Sequence, residues 1–564
     1  MFDRHLGVWP AGVPHHIDVP ERNLSENLRL TAEKTPDATA IHYYGADITY
    51  RELQETVLRI AGWLQGEAGV AKGDRVLLYM QNSPQFIIGY YAILRADAVV
   101  VPVNPMNRDH ELDHLIADTG ASVALVGQEL LAHIAPFAKA GRLAHMLVAA
   151  YADKAGRAPE TPLPAGLEVA GREDYDIPGT LGWPAAEAMG LMPGPITAGA
   201  DDLAVIPYSS GTTGQQKGCM HSHRTVMTTI VGGVIWNPRG LGTPSLAVLP
   251  LFHVTGMQGS MNGPIFVGET VVLMSRWDRR VAAQLIRRHA VGRWRSISTM
   301  MIDLLNDPDV DASALSSLQV VGGGGAAMPA PIARRLKDLT GLDYIEGYGM
   351  SETMAATHIN PIDAPRRQCL GVPVFDVDSR VIDPETGKEL GPDEVGEIII
   401  NAPQVFLGYW NNPDATRDAF VELDGKSFLR TGDIGRYDEE GYFYIVDRMK
   451  RMINASGFKV WPTEVEAILH DHPAIAEICV VGRPDPRRGE SVIAYAVLRG
   501  EVSEEELIGW CREHMAAYKV PRQVVFTDTL PRNASGKLQW KEVAELAARD
   551  AEALAEIQKL SRLD

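Results

Sequence analysis

At 564 residues the chain is too long for one hydrophobic core, and domain-size statistics call for about two to four folding units. Its 45% apolar and 22% charged residues are the make-up of a soluble globular enzyme, and a net charge of −19 argues against a nucleic-acid partner. Four scattered cysteines, Cys219, Cys369, Cys479 and Cys511, give neither zinc spacing nor a disulfide framework, and no run of about 18 apolar residues could span a membrane. With no basic-then-apolar leader at the N-terminus either, a cytoplasmic protein is expected.

Short apolar runs alternate with helical segments over most of the chain. Residues 75–80 read as a buried strand, Ser83 as the cap of a helix over 84–95, and 98–103 as the next strand. Strands are also predicted at 122–126, 203–208, 270–274, 318–321 and 342–345, while 151–200, rich in Pro, Gly and Ala, reads as a long surface connection. This alternation predicts an α/β fold with largely parallel sheets. Past about residue 376 the strands shorten (379–382, 396–400, 441–446), which predicts a small β-rich subdomain over 376–446. A basic, flexible-looking connection over 447–451 precedes a tail of helices (463–471, 503–515, 540–560) and strands (478–481, 492–498). The expected organisation is a large N-terminal domain over 1–449 and a small α+β C-terminal domain over 450–564.

The densest chemical signal is Tyr208-Ser-Ser-Gly-Thr-Thr-Gly-Gln-Gln-Lys-Gly218. Ser209, Ser210, Thr212 and Thr213 supply hydroxyls, Gly211, Gly214 and Gly218 let backbone N–H groups turn inward, and Lys217 adds an ammonium. Such a concavity suits the phosphates of a nucleotide. It is not the common P-loop, because Lys217 lies three residues past Gly214 and is followed by Gly218. A plain Ser/Thr/Gly surface turn rarely ends so dense a donor run with lysine after a buried strand.

Four further segments carry weaker signals. Gly322-Gly-Gly-Gly-Ala-Ala327, with Glu346 downstream, could be a dinucleotide fingerprint and supports a competing reading as an NAD-dependent oxidoreductase. In Glu346-Gly-Tyr-Gly-Met-Ser-Glu352, Gly347 and Gly349 would admit a flat ring or a phosphate, Ser351 offers a hydroxyl and Glu352 a carboxylate for Mg²⁺; the plain alternative is a strand-to-helix turn with a capping serine. Asp433, after Gly432, could accept both hydroxyls of a ribose or simply close an Asx-turn. Lys537, in Pro531-Arg-Asn-Ala-Ser-Gly-Lys537, would by default be a solvent-facing charge.

Taken in order and spacing from about residue 25 to 545, these segments resemble the adenylate-forming superfamily of acyl-CoA synthetases, peptide-synthetase adenylation domains and beetle luciferases. Leu249-Pro-Leu-Phe-His-Val-Thr-Gly256 and Gln404-Val-Phe-Leu-Gly-Tyr-Trp410 match further motifs of that family. The ordered set displaces the dinucleotide reading. The resemblance implies two half-reactions: a carboxylate attacks the α-phosphate of MgATP to give an acyl-adenylate and pyrophosphate, then a thiol displaces AMP. By family position, Lys537 bridges carboxylate and α-phosphate, and Lys217 holds the β,γ-phosphates with Ser209, Ser210, Gly211, Thr212, Thr213 and Gly214; Thr213 also counts among the catalytic residues. Glu352 would hold Mg²⁺ and Ser351 the α-phosphate. Gly325, Ala326 and Ala327 would lie along adenine beside Glu346, Gly347, Gly349 and Met350, with Tyr348 stacked on the ring. Asp433 and Arg448, flanked by Ile445, would take the ribose. The C-terminal domain is expected to be mobile, hinged at Lys450, with Ser456, Gly457 and Phe458 lining a pantetheine tunnel and His253 near the thiol. Ser351 replaces the family's usual Thr and keeps the hydroxyl; Ala327 replaces a frequent Pro.

Peptide-synthetase domains place Asp just after the Phe of the 249–256 motif, where this chain has His253, which argues against an α-amino acid. No carrier domain follows residue 564, so free coenzyme A is the expected acceptor; an adenylating enzyme with another acceptor is the second reading. The expected acyl wall, residues 255–261 and 350–354 with Trp236, is apolar, Met-rich and without an evident cation. A medium- to long-chain fatty acid is the first expectation, with a short, aryl or sulfur-bearing acid left open, as is a homodimer. The partners expected are small molecules only: acid, ATP and CoA.

Overall fold

The apolar runs of the first 379 residues become strands of two large sheets. The computed structural model describes residues 1–157, 161–172, 175–209, 216–325, 327–455, 458–485, 489–532 and 538–549. One sheet takes the spatial order His221–Ser222, Leu203–Val205, Val99–Pro102, Arg75–Tyr79, Val123–Gly127, His145–Ala149, Thr180–Gly182. Only its first pair is antiparallel. The other runs Val372–Pro373, Ala355–Ile359, Tyr344–Met350, Val320–Gly323, Arg293–Ser296, Ser245–Ala247, Val271–Leu273, Thr39–Tyr43, Ala46–Thr49. Its centre is parallel and its two ends are antiparallel hairpins.

The helix Pro84–Arg95 is buried along nearly its whole length, which explains why its sequence carries no polar face. Ser83 caps it, its Oγ accepting the Phe86 N–H at 3.1 Å, and Pro84 opens the first turn. Asn82, just before, stitches the two sheet systems: its amide donates to the Leu249 carbonyl at 3.0 Å and accepts from the Leu251 N–H at 2.8 Å. One expectation needs correction, and one alternative falls away. Residues 151–200 are not only a connection, because Thr180–Gly182 joins a sheet and the helix Trp183–Ala188 buries Trp183 and Ala186. Residues 344–350 form one strand that turns through Ser351–Thr353 into Ala355–Ile359, so the glycines of that motif sit in a β-hairpin rather than a strand-to-helix turn.

The chain divides into two units, residues 1–379 with 400–429, and residues 380–399 with 430–564. In the second, the far half of the strand Lys426–Tyr437 pairs with Phe443–Arg448. The long pair Ile475–Asp485 and Gly489–Leu498 carries Gln523–Phe526 in parallel on its edge. Helices Pro462–His470 and Glu504–His514 bury Val465, Leu469, Leu507 and Cys511 in the core of this unit. Ser503 and Glu506 close a capping box at the start of the second helix. Residues 447–451 are better anchored than their composition suggested. The Asp447 carboxylate accepts the N–H groups of Arg448 at 2.6 Å and Thr463 at 2.7 Å, and Arg451 pairs with Glu466 and donates to the Val480 carbonyl at 3.2 Å. No described helix is long and apolar enough to cross a membrane.

Candidate active site

Of the expected site residues, Ser210, Gly211, Thr212, Thr213, Gly214, Ala326, Ser456, Gly457 and Lys537 lie outside the described residues. The two ends of the 208–218 loop are described, and they meet: Ser209 pairs with Lys217 and Tyr208 with Gly218 in an antiparallel bridge. Gly218 is required there, since a Cβ would stand 2.7 Å from Ile206 Cγ2 and 3.0 Å from the Tyr208 ring. The Tyr208 hydroxyl donates to Asp118 Oδ2 at 2.6 Å, which fixes the root of the loop.

The segment 404–410 runs alongside this root. Leu407 N–H donates to the Met220 carbonyl at 2.8 Å, Met220 N–H to the Gly408 carbonyl at 2.9 Å, and Trp410 N–H to the Gly218 carbonyl at 2.8 Å. Phe406 N–H donates to the Glu352 carbonyl at 2.8 Å, so the third motif is drawn in as well. Tyr409 then joins the charged side chains. Its hydroxyl donates to Glu352 Oε1 at 2.8 Å, and Lys217 Nζ lies 4.9 Å from its ring centre. One aromatic residue thus holds the lysine of the first motif and the carboxylate of the second, and burial with the neighbouring Glu352 pushes the Tyr409 phenol well above its usual pKa, so it remains a donor.

Ser351 is positioned by a histidine that sequence reasoning passed over. His221 Nε2 lies 2.7 Å from the Ser351 carbonyl and its Nδ1 3.2 Å from Thr225 Oγ1. Burial lowers the His221 pKa to about 4, so the ring is neutral and its Nε2–H donates to that carbonyl. A histidine following a loop of phosphate donors would read as a ligand by type; its complete burial makes it a strut instead. Gly349, in the hairpin, admits no side chain: a Cβ would sit 1.7 Å from the Ala355 carbonyl oxygen. Glu346 is buried, and its carboxylate accepts backbone N–H groups from Met328 at 3.0 Å, Gln368 at 3.3 Å and Cys369 at 3.1 Å. It therefore ties two loops to the end of the strand carrying Gly347 and Tyr348.

In the second unit, Asp433 and Arg448 face each other across paired strands, with Arg448 Nε 2.7 Å from Asp433 Oδ1. Asp433 is fully buried and its N–H donates to Thr431 Oγ1 at 3.1 Å. Ile445, 40% exposed, pairs with Gly435 on the same ladder. Lys450 falls in the short turn Met449–Arg451, and Phe458 opens the strand Phe458–Val460. His253, exposed, has its Nδ1 accepting the Thr255 N–H at 3.3 Å. No group of three metal-ligating side chains is gathered among the described residues. Among the described residues, Glu352, 6% exposed, next to Ser351 in the chain and sharing Tyr409 with Lys217, is a carboxylate that fits a Mg²⁺ arriving with a nucleotide, because that ion uses one or two carboxylates and completes its shell with phosphates and water.

A cavity opens in the first unit behind this cluster. Tyr348, Gly349, Gly323, Gly324 and Gly325 line it, as do Ile230, Val234, Pro264, Val267, Ile345 and Phe375. The expected acyl wall needs three corrections. Over 255–261 the helical turns show Thr255, Gln258 and Gly259 to the cavity, while Met257 and Met261 are buried in the core: residues three to four apart share a face, and the methionines are on the other one. Trp236 is not on the wall either; it packs edge-on against Trp9 and Phe375 and donates to the Asn360 carbonyl at 3.3 Å. Lastly, cations are present, because Arg293 and Arg295 both line the cavity.

Comparison with known proteins agrees with this geometry. The profile described as AMP-binding enzyme matches residues 28–410, and that of the AMP-binding enzyme C-terminal domain matches residues 464–537. A long-chain-fatty-acid–CoA ligase of Bacillus subtilis (strain 168) is 34% identical over 549 residues, covering 96% of this chain and 97% of its own. A feruloyl-CoA synthase of Amycolatopsis sp is 34% identical over 550 residues, covering 96% and 99%. The crystal structure of ATP-bound MatB from Rhodopseudomonas palustris superposes with a TM-score of 0.81 at 30% identity, covering 93% of this chain and 98% of that one. On these matches and on the convergence of its motifs, the chain belongs to the AMP-binding enzyme family.

Proposed function

We propose that this acyl-CoA ligase activates a carboxylic acid of medium to long chain, through an acyl-adenylate, and passes the acyl group to coenzyme A. The observation that carries the adenylation half is the meeting of Lys217 and Glu352 on the two sides of Tyr409, with Ser351 held beside them by His221. Attack of one anion on another requires the approach to be neutralised and oriented. In this reading Lys217 and the donors Ser209 to Gly214 hold the leaving pyrophosphate, and Glu352 holds Mg²⁺ delivered with ATP. Ser351 steadies the α-phosphate, and Lys537 bridges it to the attacking carboxylate. Gly325 to Ala327, Glu346 to Met350, Asp433, Ile445 and Arg448 receive the adenosine. Lys450 is the proposed hinge for the second half-reaction, and Ser456, Gly457, Phe458 and His253 are the proposed thiol path.

The apolar part of the cavity wall, Ile230, Val234, Pro264, Val267, Ile345 and Phe375, supports an acyl group with a substantial hydrocarbon body. An aryl acid is the second reading, favoured by the feruloyl-CoA synthase, which is as similar as the fatty-acid ligase. The test is AMP release from ATP across a panel of aliphatic and aryl acids, with and without CoA. Release that needs both an acid and CoA is expected; release that ignores CoA assigns another acceptor, and none with any acid removes the ligase reading.

A further inference from the structure

The cavity wall carries charges that neither the fold nor the ligation described above consumes. Arg293 and Arg295 alternate on the strand Arg293–Ser296, so both leave the sheet on one face while the buried Trp294 takes the other. Both arginines line the cavity, together with Glu269. Glu269 is 3% exposed; its Oε1 accepts the Gly242 N–H at 3.0 Å and stands 3.8 Å from Arg293 Nη1, outside hydrogen-bond reach. Arg293 Nη1 is buried without a hydrogen bond. Arg295 makes no hydrogen bond and no ion pair with any described residue. Gly259 leaves room for its stem, since a Cβ there would lie 3.0 Å from Arg295 Cγ. Burial, reinforced by Arg293, lowers the Arg295 pKa to about 10, which still leaves the guanidinium charged at neutral pH.

Two guanidinium groups against one carboxylate leave a positive charge in excess in a partly dry cavity, a costly arrangement that a bound anion would relieve. Strand register gives the distance. Arg293 pairs with Val320, Ser296 with Gly323, and Gly323 with Glu346, so Arg293 lies four positions before Gly347 along the strands. That is about 13 Å along the strands for Arg293 and about 7 Å for Arg295, which lies two positions before Gly347, with two strand spacings of about 4.8 Å to cross, the reach of a medium-length chain.

We infer that the acid this enzyme takes carries a second carboxylate at its far end, held by Arg295 and Arg293: an α,ω-dicarboxylic acid of medium length. The inference rests on the ligase reading and narrows its substrate. Guanidinium and carboxylate meet as a bidentate, charge-assisted pair, which lysine would not reproduce.

The experiment compares kcat/KM for CoA-dependent AMP release between dicarboxylic acids and the monocarboxylic acids of the same carbon number. The wild type is expected to prefer the dicarboxylic series by at least about tenfold, the effect of one charge-assisted hydrogen bond. Arg295→Met is expected to abolish that preference, and Arg295→Lys to restore part of it. A wild type that prefers the monocarboxylic series, or the ω-hydroxy acids, overturns the inference while the ligase reading stands, and this holds even if Arg295→Met fails to fold. A preference that survives in folded Arg295→Met overturns it as well. Absence of AMP release with every acid is the separate failure of the ligase reading.

Discussion

Replacing Tyr409 with Phe removes one oxygen from the centre of the site and little else. The ring stays, so its contacts with Lys217 at 4.9 Å and with Phe406 at 4.8 Å between centres are kept. What is lost is the 2.8 Å hydrogen bond to Glu352 Oε1. Glu352 is 6% exposed, so water replaces that donor poorly, and a hydrogen bond to a charged group contributes about 1.5–3 kcal/mol. Unfolding stability should fall by about that much, and a Glu352 carboxylate freed to shift should raise the KM for MgATP about tenfold. The assay is urea unfolding together with acid-dependent ATP–pyrophosphate exchange on wild type, Tyr409→Phe, Glu352→Gln and the double variant. The two changes should couple by at least about 1 kcal/mol, as contacting residues do. Additive effects within about 0.3 kcal/mol would show that the phenol does not position the carboxylate.

Other consequences are as specific. Gly349→Ala would put a Cβ 1.7 Å from the Ala355 carbonyl oxygen, so the hairpin must shift; a loss of about 1–3 kcal/mol or more in stability and of most pyrophosphate exchange is expected, and a variant with normal exchange would refute the close packing. The acid limb of stability follows from His221 and His223, lowered by burial to about 4, and His358, lowered to about 3. They stay neutral in the fold while the unfolded chain takes up their protons below about pH 6.5. Stability should therefore be complete above that pH and fall toward pH 4 by up to about 1.4 kcal/mol per pH unit per histidine; a flat urea midpoint over the interval contradicts the burial argument. Lys537→Ala should lose adenylate formation by about 10²–10³ or more while still converting supplied acyl-AMP and CoA to thioester; equal loss of both steps would remove Lys537 from its proposed role.

Where local chemistry decides structure, reading along the chain was enough. Ser83 and Pro84 announce a helix start by a mechanism that needs no tertiary context, and the alternation of apolar runs leads to parallel sheets. Lys217 and Glu352 stood out as chemistry because their neighbours are glycines and hydroxyls. Tyr409 and His221 did not, because an aromatic and a histidine acquire their roles only from what packs against them. The face of a short helical turn was equally hidden: Met257 and Met261 are apolar enough for either a cavity or a core, and the core took them. Arg293 and Arg295 left a usable trace. Two arginines at alternate positions of a strand between buried parallel neighbours have no solvent to face, and that pattern alone marks a polar cavity.

The central claim is that a carboxylate attacks the α-phosphate of ATP, and one measurement addresses it without any variant. An acid labelled with heavy oxygen in its carboxylate is turned over with ATP and CoA, and the AMP and pyrophosphate are weighed by mass spectrometry. Transfer of a single labelled oxygen into AMP is the expected result, since the acyl–phosphate anhydride breaks on the carbonyl side when the thiol arrives. Label in the pyrophosphate, or acyl-CoA formed with none in AMP, would contradict the account.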